Sequence, residues 1–452
     1  MTRPGKVYLV GAGPGDPGLL TQRAVQLMHE CDVVCYDLLI DQAVLAMVPA
    51  STRMMAVGYR GYCGTSIEYG MHPDVVEQAL AGHTVLRLKA GDPLIFGRAT
   101  EECRCLTHHG IDYEVVPGIS SALGAAAYAG FPLTSNGLAS DVTFASGHRA
   151  SSTLSSWAAM GQSSGTLVLY MGAKKLALHA QRLIQEGKAP ATPVAVVAAA
   201  TCASQRVLST TLERVGGQIE SFDNGDPMLV IMGEVVSLAD ELDWRKRLPL
   251  SNVQVLACTL DQTLTTQCKN LGATVVEAPR VDISYGFSDA DWQRLQQAES
   301  LWLDSSEAAL SLIEETRRRQ LDCRQWPWLL RGSESACELL KEYNLIAQCC
   351  ASADSGEVVI SALTVPGALC GRRVEVLEPA FPLSPAALAL VDELVVARYL
   401  HERGLLAPGA LVLSQCEHVC RFLTSVGHQC ERVNGQQGLP LPLMVEGKRN
   451  AA

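Results

Sequence analysis

Short apolar runs alternate with helical stretches along the first half of the chain. The runs KVYLV, DVVCYD and TVLRLKAGD are bounded by glycine, proline or aspartate, and helix-like segments at residues 19–30 and 75–81 lie between them. Apolar runs that alternate with helices are typical of an α/β domain with a largely parallel sheet. Functional loops are therefore expected at the carboxyl ends of these strands.

A second group of apolar runs, VTFAS, TLVLYMG, PVAVVAA and PMLVIMG, follows the segment VVPGISSALGAAAYAG. Turns and helix-like segments separate them, and this repetition predicts a second lobe. We place the two lobes at about 1–115 and 116–245. The small, polar stretches 151–156 and 161–165 are predicted as surface loops.

A domain boundary is predicted where the charged stretch ELDWRKRLPL ends in proline and the new β-like run NVQVLACTL begins. The chain of 452 residues exceeds the size at which a single core stops growing. We therefore expect one domain at 1–248 and a second α/β domain at 252–452.

Composition and charge narrow the function classes. Apolar residues make up 48% and charged residues 18%, as in folded globular proteins. The net charge of −11 argues against nucleic-acid binding, although a local group of basic residues can still bind a small anion. The sixteen cysteines form no C-x-x-C pair, so free thiols and no metal site are expected. Neither a signal peptide nor a membrane span fits the pattern, so we expect a cytoplasmic protein.

Two turns that follow strand-like runs carry the candidate chemistry. The first, GAGPGD at 11–16, has glycines that permit a tight turn and close approach to a ligand. A dinucleotide fold with Asp37 as the ribose ligand is the alternative, but Pro14 interrupts that motif and Asp16 stands where its third glycine is needed. The second turn is AGDP at 90–93. Such turns are common between secondary-structure elements, so this turn alone does not indicate a binding site.

The ordered motifs VGAGPGDPGLLT, CDVVCYD, RLKAGDPLIFGR, VPGISSALGAAAYAGFPLT, SGH and LYMG closely resemble uroporphyrinogen-III C-methyltransferase, of the tetrapyrrole methylase family, over residues 5–245. The resemblance implies a two-lobed α/β enzyme, usually a homodimer, with S-adenosylmethionine between its lobes. It implies two methylations of uroporphyrinogen III, which give precorrin-2 by way of precorrin-1, toward sirohaem or cobalamin.

The resemblance also assigns roles to residues. Asp37 matches the proposed proton acceptor, and a carboxylate can take the proton that the macrocycle loses after methylation. Tyr59 occupies the place of the family's proposed proton-donor lysine. The cofactor positions match Pro14, Ala90, Gly91, Asp92, Ile95, Ser120, Ser121, Met171 and Ala200.

The substrate of this family bears eight carboxylates, so arginine and lysine side chains are candidates for its recognition. Arg87 and Arg98, which flank the second turn, are the favoured pair. The full set is Arg60, Arg87, Lys89, Arg98 and Arg149.

The chain departs from the family pattern at Tyr59, where the positive charge of lysine is lost although the reference pKa of tyrosine is similar. Ala90, Ser121 and Ala200 also replace smaller residues, and their added atoms crowd a ligand that approaches the backbone closely. Three alternatives stay open: a methyltransferase on a different tetrapyrrole, a tetrapyrrole-binding protein without catalysis, and an NAD-dependent oxidoreductase.

The stretch NVQVLACTLDQTLTTQCKNLGATVVEAPRVDI weakly resembles the opening of uroporphyrinogen-III synthase, a two-lobed α/β protein. That resemblance implies a domain that makes the methyltransferase's own substrate. A synthase of this kind needs a shaped cleft more than a catalytic side chain. The sequence therefore leaves open whether residues 252–452 cyclise a tetrapyrrole, bind one, or act as a degenerate scaffold.

Overall fold

A computed structural model of the chain describes residues 4–58, 70–147, 154–259, 262–362 and 366–433. The chain divides into two compact units. Unit 1 contains Met1–Arg280 together with Glu378–Ala452, and unit 2 contains Val281–Leu377.

The first sheet of unit 1 is parallel, and its described strands have the order β3-β2-β4-β1-β5. The strand interiors are apolar and buried, as expected of a parallel sheet. Helix α1 begins where the Thr21 hydroxyl accepts a hydrogen bond from the Ala24 amide. The elements are β1 (Val7–Gly11), α1 (Gln22–Glu30), β2 (Val33–Asp37), α2 (Gln42–Leu45), β3 (Arg53–Gly58), α3 (Pro73–Leu80), β4 (Val85–Lys89), α4 (Ala99–His108) and β5 (Tyr113–Val116).

The second sheet of unit 1 is mixed, with the order β6-β7-β10-β8-β9. Strands β6 and β7 are parallel, whereas β10 runs antiparallel to both β7 and β8. The elements are α5 (Ser121–Ala129), β6 (Val142–Ser146), α6 (Leu154–Gln162), β7 (Thr166–Tyr170), α7 (Leu176–Gln185), β8 (Pro193–Ala198), β9 (Arg206–Thr211), α8 (Leu212–Phe222), β10 (Met228–Met232) and α9 (Ala239–Leu242).

The loop prediction for 151–156 and 161–165 was wrong in part, because α6 occupies residues 154–162. Small residues misled the prediction. Gly161 lies in this helix, and a Cβ there would come within 2.7 Å of the Glu186 side chain, so a glycine lets α6 pack closely against the end of α7.

The remaining elements belong to the C-terminal part of the chain. They are β11 (Gln254–Cys258), α10 (Gln262–Asn270), β12 (Thr274–Val276), β13 (Arg280–Tyr285), α11 (Asp289–Gln296), β14 (Ser300–Leu303), α12 (Ser306–Arg318), β15 (Leu329–Gly332), α13 (Glu334–Glu342), β16 (Gln348–Cys349), β17 (Val358–Ser361), β18 (Leu369–Cys370), β19 (Arg372–Leu377), β20 (Ala386–Val391), α14 (Leu394–Glu402), β21 (Leu406–Ser414), α15 (Glu417–Ser425) and β22 (Gln429–Arg432).

Ten of these strands build one five-stranded parallel sheet in each unit, and β13 pairs with β19 in a separate two-stranded sheet. In unit 1 the order is β12-β11-β20-β21-β22, and in unit 2 it is β16-β15-β14-β17-β18. The prediction of an α/β fold is confirmed for both parts of the chain. The domain boundary at 248–252 stays a prediction. No helix in the described ranges is long and apolar enough to cross a membrane.

Candidate functional site

Three loops of the first sheet converge at the carboxyl ends of β1, β4 and β5. A Cβ on Gly11 would lie 2.6 Å from both the Gly118 amide nitrogen and the Gly91 carbonyl oxygen. The Gly91 amide donates to the Gly13 carbonyl at 2.8 Å, and both residues have positive φ. Only glycine permits this approach, so the two turns singled out in the sequence are in direct contact.

Asp92 fastens the second of these loops. Its Oδ1 accepts a hydrogen bond from the Leu94 amide at 2.8 Å, and its Oδ2 accepts one from the Gly118 amide at 3.0 Å. Both carboxylate oxygens therefore bind backbone of the loops after β4 and β5. Asp92, next to Ala90 and Gly91, therefore fixes the shape of these loops, and its role in cofactor binding stays a prediction.

The first loop also packs against the second lobe. A Cβ on Gly124 of α5 would come within 2.5 Å of the Pro14 ring, so Pro14 lies directly on this helix. The Asp16 amide donates to the Thr201 hydroxyl at 3.0 Å, in the turn that contains Ala200. Pro14 and Ala200, predicted from motifs nearly 200 positions apart, thus lie on loops that touch.

Helix α5 begins at the same place. Ser120 occupies its N-cap position, is buried, and its hydroxyl lies 2.6 Å from the Tyr170 hydroxyl. The Tyr170 hydroxyl also accepts a hydrogen bond from the Ala122 amide at 3.2 Å. These bonds join the end of β7, which Met171 follows, to the first turn of α5, which begins at Ser121.

Backbone strain is concentrated in these loops. Of the eight non-glycine residues with positive φ in the described ranges, five lie in loops that follow β4, β7 and β8. They are Phe96, Arg98, Met171, Ala199 and Thr201. Residues outside the favoured regions cost on the order of 1–3 kcal/mol each and collect at functional sites. Their distribution marks the carboxyl ends of these strands as the candidate site.

The loops that follow β2, β4 and β7 expose large apolar side chains. Such side chains prefer burial, so a group of them on strand-end loops indicates a binding surface. The Phe96 ring also lies 4.8 Å from that of Tyr170. The exposed members are Leu38, Leu39, Leu94, Ile95, Phe96 and Met171.

Asp37 at the end of β2 is held by a buried arginine. The Arg87 Nη2 donates to Asp37 Oδ1 at 2.6 Å, and its Nε donates to Glu102 Oε1 at 3.3 Å. Burial alone would lower the pKa of Arg87, but the charges of Asp37 and Glu102 outweigh it and keep that pKa raised. A Cβ on Gly58 would lie 2.6 Å from Asp37 Oδ1, so β3 also packs against this carboxylate.

This pairing changes the interpretation of Arg87 and Lys89. Arg87 is only 5% exposed, and Lys89 is buried with its Nζ 2.8 Å from Glu102 Oε2. Arg87 pairs with Asp37 and with Glu102 of α4, and Lys89 pairs with Glu102, so both cations are engaged inside the protein, which favours a positioning role over contact with a substrate. The side chain of Arg98, in contrast, is 35% exposed. Tyr59, Arg60 and Arg149 lie outside the described residues.

The sequence analysis missed three residues that build the site. Tyr170 and Thr201 contact loops far away in the chain, so no local pattern indicated them. Glu102 sits on the buried face of α4 and forms ion pairs with two cations. A charged residue on an otherwise apolar helix face, one turn into α4, was the available signal for Glu102. Across the part of the chain that is described, no group of three acidic, histidine or cysteine side chains could hold a metal ion.

Comparison with known proteins relates the segment that carries the site to a protein family. The family model for tetrapyrrole (corrin/porphyrin) methylases matches residues 6–216. The N-terminal segment of the chain belongs to this family. The match covers every loop described above, from the turn at Gly11 to the turn at Thr201.

Curated relatives of the methylase segment carry the name siroheme synthase. One from Chromobacterium violaceum is 44% identical over 254 residues, which are 56% of this chain and 54% of the relative. One from Azotobacter vinelandii is 45% identical over 241 residues, 53% of this chain and 52% of the relative. The chain spans about half the length of the curated relatives it matches.

A solved structure is also similar to the methylase segment. It is the uroporphyrin-III C-methyl transferase of Thermus thermophilus in complex with S-adenyl homocysteine, with 37% identity and a TM-score of 0.44. The match covers 51% of this chain and 93% of that one. At this TM-score the structural likeness adds no argument, and the assignment rests on the family model and the sequence relatives.

Proposed function

We propose that the methylase segment transfers methyl groups from S-adenosylmethionine to uroporphyrinogen III. Two transfers give precorrin-2 by way of precorrin-1, on the route to sirohaem or cobalamin. The observation that carries the proposal is the convergence of strained, glycine-bearing loops, which include the predicted cofactor residues, at one end of the sheet that presents Asp37. The siroheme synthase relatives support the same chemistry.

The residues at the site fit S-adenosylmethionine, which combines a charged amino acid with an apolar nucleoside face. The backbone at Gly91 and the first turn of α5 at Ser121 offer polar main-chain groups, and the exposed side chains of Ile95 and Met171 offer apolar contact. Ala90 and Ala200 complete the proposed set with Pro14, Asp92 and Ser120. When bound, the cofactor supplies an electrophilic methyl group on its sulfonium.

The protein's own contribution is alignment, exclusion of water and proton transfer. The exposed apolar side chains of the strand-end loops suit the faces of a macrocycle, and Arg98 suits one of its carboxylates. Arg87 fixes Oδ1 of Asp37, and we assign the proton lost by the methylated carbon to the Asp37 carboxylate, through Oδ2. Tyr59 is the proposed proton donor, and Arg60 a proposed substrate contact.

Anaerobic incubation with S-adenosylmethionine and uroporphyrinogen III, followed by mass spectrometry, tests this function. We expect a mass gain of two CH2 units, because each methyl group that is added replaces one proton. Asp37→Asn removes the proton acceptor at nearly constant shape, so it should abolish turnover, whereas Asp240→Asn on exposed α9 should not change it. An unmodified porphyrinogen, with folded protein, would contradict the proposal. If the chain methylated only a different tetrapyrrole, we would infer that Tyr59, in the place of the family's lysine, affects the choice of substrate.

Two further proposals follow from the sequence. The first is a homodimer in the cytoplasm, for which light scattering should give twice the mass of one chain. The second is a synthase-like domain at 252–452 that supplies uroporphyrinogen III. Incubation of the full chain with the linear tetrapyrrole precursor should yield the cyclic product if that domain is active.

A further inference from the structure

The last residue of the first cofactor loop is held from two sides. Asp16 Oδ1 accepts a hydrogen bond from the Gly18 amide at 2.7 Å. Asp16 Oδ2 accepts one from the Tyr128 hydroxyl at 2.6 Å. Asp16 closes the turn that begins at Gly11 and caps the short helix Pro17–Leu19. The Tyr128 phenol therefore fixes the end of the loop that carries Pro14.

A closed set of hydrogen bonds connects this contact with the loop after β8. The Asp16 amide donates to Thr201 Oγ1 at 3.0 Å, and the Thr201 amide donates to Gln205 Oε1 at 2.7 Å. Gln205 Nε2 then donates to the Tyr128 carbonyl at 2.9 Å. Three segments that are distant in sequence thus share one network, and a shift of Tyr128 would move two loops of the proposed cofactor site.

The segment 243–247, at the end of the predicted second lobe, encloses the Tyr128 ring. Helix α5 ends at Gly130, where a Cβ would lie 2.4 Å from the Asp243 Cα, so only glycine lets the segment 243–247 come this close. The Trp244 Nε1 donates to the Ala127 carbonyl at 2.9 Å, and its ring meets that of Tyr128 edge-on at 5.5 Å. The guanidinium of the buried Arg245 lies 5.0 Å from the Tyr128 ring centre.

This enclosure keeps the phenol a donor. Burial, with the hydrogen bond to Asp16, raises the pKa of Tyr128 well above its usual value, so the hydroxyl stays protonated throughout the physiological range. The segment 243–247 lies beyond residues 6–216, which the family model matches. Its contacts with Tyr128 give it a role that the family match does not assign.

We infer that Tyr128 is a positioning residue for the first cofactor loop and that the segment 243–247 holds it in place through Trp244 and Arg245. This inference rests on the proposed binding of S-adenosylmethionine. Tyr128 touches neither of the reacting groups, so its loss should weaken cofactor binding and leave the chemical step largely intact. The KM for S-adenosylmethionine should rise while kcat changes little.

Calorimetric titration with S-adenosylhomocysteine tests the inference in the full chain. Tyr128→Phe keeps the ring between Trp244 and Arg245 and removes only the donor to Asp16. We expect about tenfold weaker binding, the change typical of a lost hydrogen bond to a charged group. The matched control is Tyr113→Phe, at the opposite end of the first sheet, where binding should equal that of the unmodified chain.

The outcomes separate the two proposals. If the unmodified chain does not bind S-adenosylhomocysteine, the proposed function fails. If it binds and Tyr128→Phe binds equally well, the positioning role fails. Should Tyr128→Phe not fold, Trp244→Leu carries the test, because that side chain is 45% exposed and is easily replaced. A few-fold loss of affinity would support the inference, and unchanged affinity would overturn it.

Discussion

Individual glycines and one buried ion pair determine the shape of the candidate site. Gly11 and Gly118 leave no room for a side chain between β1 and the loop after β5, and Gly91 closes the same contact from β4. Arg87 of β4 forms ion pairs with Asp37 of β2 and with Glu102 of α4. These residues act by holding backbone and carboxylate in place, so their replacement should change stability together with binding.

Gly11→Ala is the sharpest test of the loop contact. The new methyl would collide with backbone atoms of Gly91 and Gly118, and overpacking of this kind costs about 1–3 kcal/mol of unfolding free energy. Gly217→Ala in exposed α8, where a Cβ meets nothing within 4 Å, should instead stabilise by about 0.5–1 kcal/mol. Urea unfolding of both variants measures these effects. If Gly11→Ala and Gly217→Ala changed the unfolding free energy equally, the loops around Gly11 would have room to separate.

Arg87→Met should destabilise the protein strongly, because it leaves the carboxylate of Asp37 without its buried cation. Breaking a buried pair from one side costs roughly 3–5 kcal/mol. The matched control is Arg214→Met, whose side chain is 73% exposed and which should stay within about 0.5 kcal/mol of the unmodified chain. A stable Arg87→Met variant with unimpaired turnover would contradict the positioning role of Arg87.

Secondary-structure elements were largely predictable from apolar periodicity. The runs KVYLV, TLVLYMG and NVQVLACTL correspond to β1, β7 and β11. The antiparallel direction of β10 was not predictable, because a buried strand has the same apolar composition in either direction. Strand β9 was missed as well. Its burial alternates between intermediate and exposed, and its sequence RVLSTT lacks a continuous apolar run.

The site was predictable only in part, and for a physical reason. Residues on turns, such as Gly91 and Asp92, can be recognised from the sequence because turns favour glycine and aspartate. Contacts across the fold do not: the burial of Arg87 depends on where Glu102 lies, and the bond between Tyr128 and Asp16 joins residues 112 positions apart. The charge of Arg87 suggested a contact with the substrate, whereas in the fold Arg87 forms ion pairs with Asp37 and Glu102.

Helix α7 contains a histidine that should make stability depend on pH. His179 Nε2 bonds to the Gly147 carbonyl and its ring stacks on Trp157 at 5.0 Å. Burial lowers the pKa of His179, and the charges of Lys175 and Arg182 act in the same direction. The unfolded chain therefore takes up this proton first, so the contribution is present above about pH 6.5 and is lost as the pH falls through the folded pKa.

His179→Gln keeps a nitrogen donor for Gly147 and cannot be protonated. Its unfolding free energy should therefore fall less between pH 7 and pH 5 than that of the unmodified chain, as measured by urea unfolding at each pH. His29→Gln, on the exposed face of α1, is the control and should keep the full pH dependence. His428, whose pKa is also lowered by burial, contributes equally in both variants. Identical pH dependence in all three proteins would contradict the role of His179.

At the scale of the whole molecule, the methylase segment and the C-terminal part are both α/β but differ in sheet organisation. The methylase segment combines a parallel and a mixed sheet, whereas the C-terminal part has one five-stranded parallel sheet in unit 1, another in unit 2, and the two-stranded sheet β13-β19 in the described residues. Two parallel sheets agree with the proposed two-lobed synthase-like domain, whose activity remains to be tested by tetrapyrrole cyclisation. The proposed methyl transfer depends on the first part alone.

A crystal structure of the full chain with S-adenosylhomocysteine tests the central claim most directly. The account predicts the ligand between the loops that follow β1, β4, β7 and β8, in contact with Gly91, Ile95 and Met171. Its sulfur should face the side of the site where Asp37 is paired with Arg87. The account would be contradicted if S-adenosylhomocysteine at a saturating concentration did not bind between those loops. It would also be contradicted if a dinucleotide bound there in preference to S-adenosylhomocysteine.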